Sequence, residues 1–228
     1  MKAVIPLATA AITTVGVLTA TISSAQSGPV ARIQEVVSQP AFQRPPGQKE
    51  ALAQQGQGLQ NKTLLRTATP GRMQIRFNKG NRSFRMGGNA SLQLNGNTID
   101  HRGGQVIAWI APGGGLRTPL KIRTRIATAA IRGTTLFIDD REDKIIFLSW
   151  EGEVGVKANS GDVFTVSSGE VLTYDDASGT WIGPVPLTRK QAMTRRRKSQ
   201  LLNGFQAPME TMPEVEDVLN KAPVSPKP

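Results

Sequence analysis

Between residues 71 and 174, apolar and polar residues alternate one by one, and the alternation is cut every few residues by Gly and Asn. In RMQIRF, Met73, Ile75 and Phe77 fall on one side. RSFRM pairs Phe84 with Met86, and ASLQL aligns Ala90, Leu92 and Leu94. A period of two belongs to half-buried strands, and clusters such as NKGN, GGN and NGN belong to turns. QVIAWI, LKIRTRIA, AIRGTTLFI, KIIFLSWEGEVGV, DVFTV and EVLTY continue the series, which amounts to about ten short strands without a helical period. Phe, Trp, Ile and Val recur at strand positions, as suits a pleated surface. Strands this short with frequent glycines predict an all-β fold, a sandwich, a barrel or an irregular solenoid rather than one open sheet. No repeat of fixed length stands out, which puts a regular β-helix second.

The flanks read differently. Residues 1–25 start with Lys2, continue as an uncharged run of small and apolar residues, and end with Ser23 and Ala25 at the positions a signal peptidase uses. Cleavage after Ala25 is expected, with no retained transmembrane helix; the competing reading is a membrane anchor. Residues 26–65 read as an extension with a possible early strand in PVARIQEVV. Pro40, Pro45 and Pro46 argue against a regular element in the segment that follows. The β domain is expected over 66–174 and a linker over 175–187. Residues 188–204 read as a basic helix closed by Asn203 and Gly204. Residues 205–228 form a Pro-rich tail, expected to be mobile or to lie along the surface.

The net charge is +11, with no cysteine and one histidine. Disulfides, thiol chemistry and cysteine-ligated metals are excluded. A basic exported chain is biased toward anionic partners: an envelope protein, an anionic lipid or an anionic polysaccharide, with nucleic acid not expected. His101 lies in TIDHRGG, read as a polar loop, and no G-x-S-x-G elbow accompanies it. Asp139, Asp140, Glu142 and Asp143 read as a hairpin turn rather than a calcium loop. Glu151 and Glu153 are the remaining acids for a polysaccharide-active enzyme, a disfavoured alternative. The glycine-rich APGGGLRTP lacks the Lys-Ser or Lys-Thr ending of a phosphate loop. No catalytic residue, metal or cofactor is predicted, and the chain is expected not to be an enzyme.

Two basic groups are the candidate binding residues. Arg72, Arg76, Arg85, Lys121, Arg123 and Arg125 alternate with apolar residues and so form a solvent-side stripe. The stripe either solubilises and protects edges or meets an anionic partner. Arg189, Lys190, Arg195, Arg196, Arg197 and Lys198 cluster on the C-terminal helix, near Leu201, Leu202 and Phe205. That helix either lies on a membrane surface or docks on the β domain. Residues 188–203 are expected to serve an envelope contact and to add little to the β fold.

Three segments carry a family resemblance: LLRTATPGRMQIRFNKGNRSFRMGGNASLQL, IRTRIATAAIRGTTLFI and IIFLSWEGEVGVKANSGDVFTVSSGEVLTYD. Together, over about residues 66–174, they resemble the FecR domain family, with the Arg-Gly-Thr element ahead of EGEV and SSGE. The resemblance implies an exported all-β domain. In the family's best-known members this domain sits in the periplasm behind one transmembrane helix and relays a siderophore receptor's signal to a cytoplasmic anti-sigma segment. This sequence shows neither a cytoplasmic N-terminal domain nor an obvious receptor-contacting C-terminal one. The resemblance therefore implies a standalone domain in the periplasm or on the cell surface, serving binding or scaffolding, with a sensor component of FecR-like signalling as the alternative. Arg132, Gly133, Thr134 and Thr135 read as architecture: a glycine between two strand runs, then β-branched residues opening the next strand.

Overall fold

A computed structural model describes residues 28–113 and 118–225; the signal-peptide reading of residues 1–25 and the centre of the glycine-rich loop lie outside the described residues. The chain is all-β, with short helices at its C-terminal end. Among the described residues, sixteen strands form one continuous sheet that folds over on itself without closing into a barrel.

The fold-over is made by one long hairpin, β7 (Arg82–Asn95) and β8 (Thr98–Ile110). Both strands bend midway, where the register shifts between Gly87 and Ser91. At that corner Gly104 holds φ +80°, and a Cβ there would run into the Ala90 backbone. Only glycine accepts both the left-handed conformation and the close approach.

The halves of the hairpin seed two wings. In the first, β1 (Ala31–Ser38) pairs with β4 (Gly58–Leu59) and with β6 (Arg72–Phe77), which pairs with the early half of β7. The late half of β8 leads on to β11 (Thr135–Asp140), β12 (Lys144–Glu151), β15 (Glu170–Asp175) and β16 (Thr180–Pro186). In the second wing, β2 (Ala41–Arg44) joins β3 (Ala51–Leu52) and β5 (Leu64–Thr67), and β5 pairs with the late half of β7. The start of β8 pairs in parallel with β9 (Leu120–Arg123), followed by β10 (Ala127–Ile131), β13 (Val154–Ala158) and β14 (Val163–Val166). Between the wings lies one interior core that includes Ile33, Phe84, Leu92, Ile122, Phe147 and Val156. Trp181 helps close its margin, with its ring centroid 5.0 Å from Phe164 and 5.0 Å from Tyr174.

The strand region thus begins before residue 66 and runs past 174. The stretch read as an extension supplies β1 to β5, with Ala31, Ile33, Ala41 and Leu65 fully buried. The stretch read as a linker supplies β16. β1 is the early strand expected in PVARIQEVV, whereas β2 to β5, of two to four residues between Pro and Gly, are too short to display a period. TIDHRGG is strand, not loop, and His101 is buried within β8.

A second core lies on the outer face of the first wing. Ile107, Trp109, Leu148, Trp150 and Val171 point away from the interior and pack against Leu187, Ala192, Leu201, Leu202, Met209, Val215 and Leu219. The covering residues come from α1 (Arg189–Lys198), α2 (Gln200–Asn203), α3 (Met212–Lys221) and their connections. Thr188 opens α1 with a reciprocal capping box to Gln191. The segment read as a mobile or surface tail is therefore a packed third layer through α3. Strands buried on both faces carry continuous apolar runs, which explains QVIAWI and IIFLSW.

The Arg-Gly-Thr-Thr element sits where its sequence places it. Gly133 is exposed at φ +107°, Arg132 is exposed, and Thr134 and Thr135 are buried as β11 begins. Thr135 also donates to Glu151 Oε1 at 2.8 Å and accepts from the Thr211 hydroxyl at 2.7 Å, which ties the sheet to the C-terminal layer.

Candidate functional site

The stripe of basic residues divides into parts with different surroundings. Arg85 is 2% exposed, which corrects its reading as solvent-side. Its side chain does leave the outer face of the sheet, but the C-terminal layer covers that face. Nε donates to Gln74 Oε1 at 2.7 Å, and the guanidinium also donates to the Leu201 carbonyl at 2.8 Å and the Ala207 carbonyl at 2.7 Å. The Phe205 ring lies over it at 4.5 Å. Burial pushes the Arg85 guanidinium down to about 10, and Glu35 and Glu210 offset part of that, so it stays charged at neutral pH. Arg72 donates to Gln200 at 2.7 Å and Arg76 pairs with Glu210 at 2.5 Å. Burial alone would raise Glu210, but bonds from Trp109 and Arg76 hold it below the usual range. Glu35 accepts from the backbone of Gln206 and Ala207 at 3.0 and 2.7 Å. These three arginines bind the chain's own C-terminal segment.

The remaining stripe residues are also dispersed. Arg125 bridges Asp140, at 3.1 Å, and Asp176, which fixes the ends of β11 and β15. Arg123 lies 3.4 Å from Asp100 and remains exposed, as does Lys121. The acids read as one hairpin turn separate likewise. Asp139 and Asp140 are buried at the end of β11, while Glu142 and Asp143 are exposed.

The helix cluster is different. Arg196 pairs with Glu216 at 2.7 Å, and Arg189 bonds the Asn220 carbonyl. Lys190, Arg195, Arg197 and Lys198 form no salt bridge within 4.0 Å among the described residues. Two of these, Arg195 and Lys198, stand at the edge of a cleft of about 330 Å³ between α1 and the outer face of the sheet. Phe137, Leu148 and Trp150 supply its apolar wall, and Thr194, Ser199 and Gln200 add polar atoms. Arg141 and Asp139 close one side as a pair at 2.7 Å. Trp150 is 3% exposed, and its indole N–H has no acceptor among the described residues. A buried donor left open is costly. The N–H is itself buried, so the Trp150 ring meets the cleft through its apolar part, beside two cations without a salt bridge.

The cleft brings two sequence-predicted binding residues, Arg195 and Lys198, to a concave surface. The sequence gives Arg195 and Lys198; Trp150, Phe137 and Leu148 carry no separate signal, since they read as strand core. No helix among the described residues is long and apolar enough to cross a membrane.

No family model matches the chain, and no curated protein matches it. Two crystal structures of a provisionally named anti-sigma factor from Parabacteroides distasonis are similar over 54% of this chain at 13% identity, with TM-scores of 0.43 and 0.41. The match covers 60% and 65% of those chains, so this chain spans less than two thirds of either. The resemblance to the FecR domain family rests on the three segments of sequence alone.

Proposed function

We propose that this protein is a non-catalytic binding module of the cell envelope, exported to the periplasm or cell surface, and that the α1 cleft receives an acidic group of a partner protein. The observation that carries the reading is the set of unpaired cations, Arg195 and Lys198, beside an apolar wall. An acidic side chain flanked by an apolar one satisfies both. Charge at the rim steers encounter, and the apolar wall supplies the desolvated contact. Export is supported by the pattern of residues 1–25, and a binding rather than a catalytic role by the burial of the single histidine.

Crosslinking capture from envelope extract tests this, comparing wild type with the double variant Arg195→Glu, Lys198→Glu. Both side chains lie outside the two cores, so the variant is expected to melt within about 0.5 kcal/mol of wild type. A protein retained by wild type and lost from the variant is the expected result. Equal retention by both removes the cleft as the contact. Binding only to anionic vesicles or acidic polysaccharide replaces the protein partner with that surface.

A further inference from the structure

The helices cover the outer face of the first wing only in part. Two cross-strand rows on that face follow from the register. One runs Ile107, Phe137, Leu148, Val171, Val185, and the next runs Gln105, Asp139, Ile146, Thr173, Ile182. Partners in a row share a face. Ile107, Leu148 and Val171 are buried beneath the helices, whereas Phe137 and Ile146 are half-buried, and Ile182 and Val185 are 53% and 49% exposed. The one acid of the two rows, Asp139, is paired with Arg141 at 2.7 Å. An apolar strip therefore runs from β11 to β16 beyond the margin of the helical layer. Its β11 end, at Phe137, is a wall of the α1 cleft.

The strip lies along α1. The Leu187 N–H bonds the Gly169 carbonyl beside β15, and Arg85 of β7 bonds the Leu201 carbonyl, so α1 crosses the strands as the rows do. Its two flanks differ. Ala192 is buried against the sheet, and Arg189 and Arg196 reach α3. Thr194, Arg195 and Lys198 turn to the other flank, over the cleft. On that side α1 borders an open trough with an apolar floor and a cationic wall. From β11 to β16 is three strand spacings, about 14 Å, which is the length of about nine helical residues.

Given the α1 cleft as the place for a partner's acidic group, the reading on which this rests, we propose that the trough receives an acidic amphipathic helix of the partner protein. The helix lies beside α1 as a further member of the helical layer. Apolar residues one turn apart cover Ile146, Ile182 and Val185, while acids on the flank toward α1 meet Arg195 and Lys198. Charge complementarity selects an acidic segment, and the trough between α1 and the sheet selects a helix. An added strand would need the free edge of β16, where Pro184 and Pro186 carry no N–H. A flat lipid surface does not enter a cleft between a helix and a sheet.

Titration of the full chain with three labelled peptides of about 14 residues, roughly four helical turns, tests this. One is an amphipathic Leu/Glu helix, one its scramble of equal composition, and one carries Lys in place of Glu. Fluorescence anisotropy is expected to show saturable binding of the first, with a gain in peptide helicity by circular dichroism, and at least tenfold weaker binding of the other two. Ile182→Asp with Val185→Asp, both exposed positions, is expected to weaken the first peptide at least tenfold at an unchanged Tm. Arg195→Glu with Lys198→Glu is expected to do the same. If the scramble binds as tightly, or if only the charge variant loses affinity, the helix is overturned and an acidic group in the cleft stands. If the charge variant binds as tightly as wild type, both are overturned. The helix is also overturned if neither acidic peptide shows saturable binding, or if phosphatidylglycerol vesicles bind in their place, and the crosslinking capture then decides the cleft separately.

Discussion

At the scale of single residues, burial decides what each polar side chain does. His101 sits 3% exposed in β8, and neither ring nitrogen has a hydrogen-bond partner of good geometry among the described residues. Burial pushes its imidazole down to about 4, and Asp139 with the Gly103 and Gly104 backbone offsets only part of that. The folded protein therefore keeps His101 neutral at pH values where the unfolded chain, with a pKa near 6.5, has already taken up a proton. Between those values the unfolded state binds more protons, so stability rises with pH across the window and is lost as pH falls from about 6.5 toward 4. The slope this one group contributes approaches roughly 1.4 kcal/mol per pH unit. Urea unfolding of wild type and His101→Phe across pH 4 to 7 should show a difference of that sign, and parallel pH profiles would count against it. The burial itself was not legible, because TIDHRGG is polar at nearly every position. Arg85 shows a similar gap. Alternation correctly puts it on the face opposite Phe84 and Met86, but what covers that face lies more than 110 positions further along the chain.

At the scale of elements, legibility followed length. The strands from β6 to β15 show their period because most offer several alternations, and α1 shows its charge, although the helix read over 188–204 is broken at Ser199, and Asn203 and Gly204 close α2 instead. β2 to β5 are cut short by Pro and Gly, and α3 sits between prolines although Met212, Val215 and Leu219 already carry helical spacing. The bend in the β7–β8 hairpin was half visible. GGN and RGG mark breaks, but they read as chain turns, whereas each is a corner within one strand. Gly104 is the sharper of the two. A Cβ there meets both a positive φ and the Ala90 backbone, whereas at Gly96, with φ +60°, it meets open space. Gly104→Ala should therefore cost about 2–4 kcal/mol and Gly96→Ala only about 1 kcal/mol, the strain without the collision. Equal losses in chemical denaturation would mean that the corner relaxes and that the close approach is not what requires glycine.

At the scale of the molecule, the wing containing β8, β11 and β12 is shared. Its inward residues, Val106, Ala108, Ile138 and Phe147, belong to the core between the wings. Its outward residues, Ile107, Trp109, Leu148 and Trp150, belong to the core beneath the helices. Two cores that use alternate residues of the same strands cannot lose packing independently, because moving a strand disturbs both faces. Polar ties add to this: Arg85 to the Leu201 and Ala207 carbonyls, Glu210 to Trp109 and Arg76, Thr135 to Thr211. The expectation from sequence that residues 188–203 add little to the β fold conflicts with this arrangement, since Ala192, Leu201 and Leu202 are core residues. Native-state hydrogen exchange on the intact protein distinguishes the two views. If the helices are a third layer, amides of Val215 and Leu219 in α3 should open with a free energy within about 1 kcal/mol of those of Ile138 and Phe147, as members of one cooperative unit. If α3 exchanges several kcal/mol sooner, the helices are a separable clasp, and the outer face of the sheet with Trp109 and Trp150 becomes transiently available to whatever binds there.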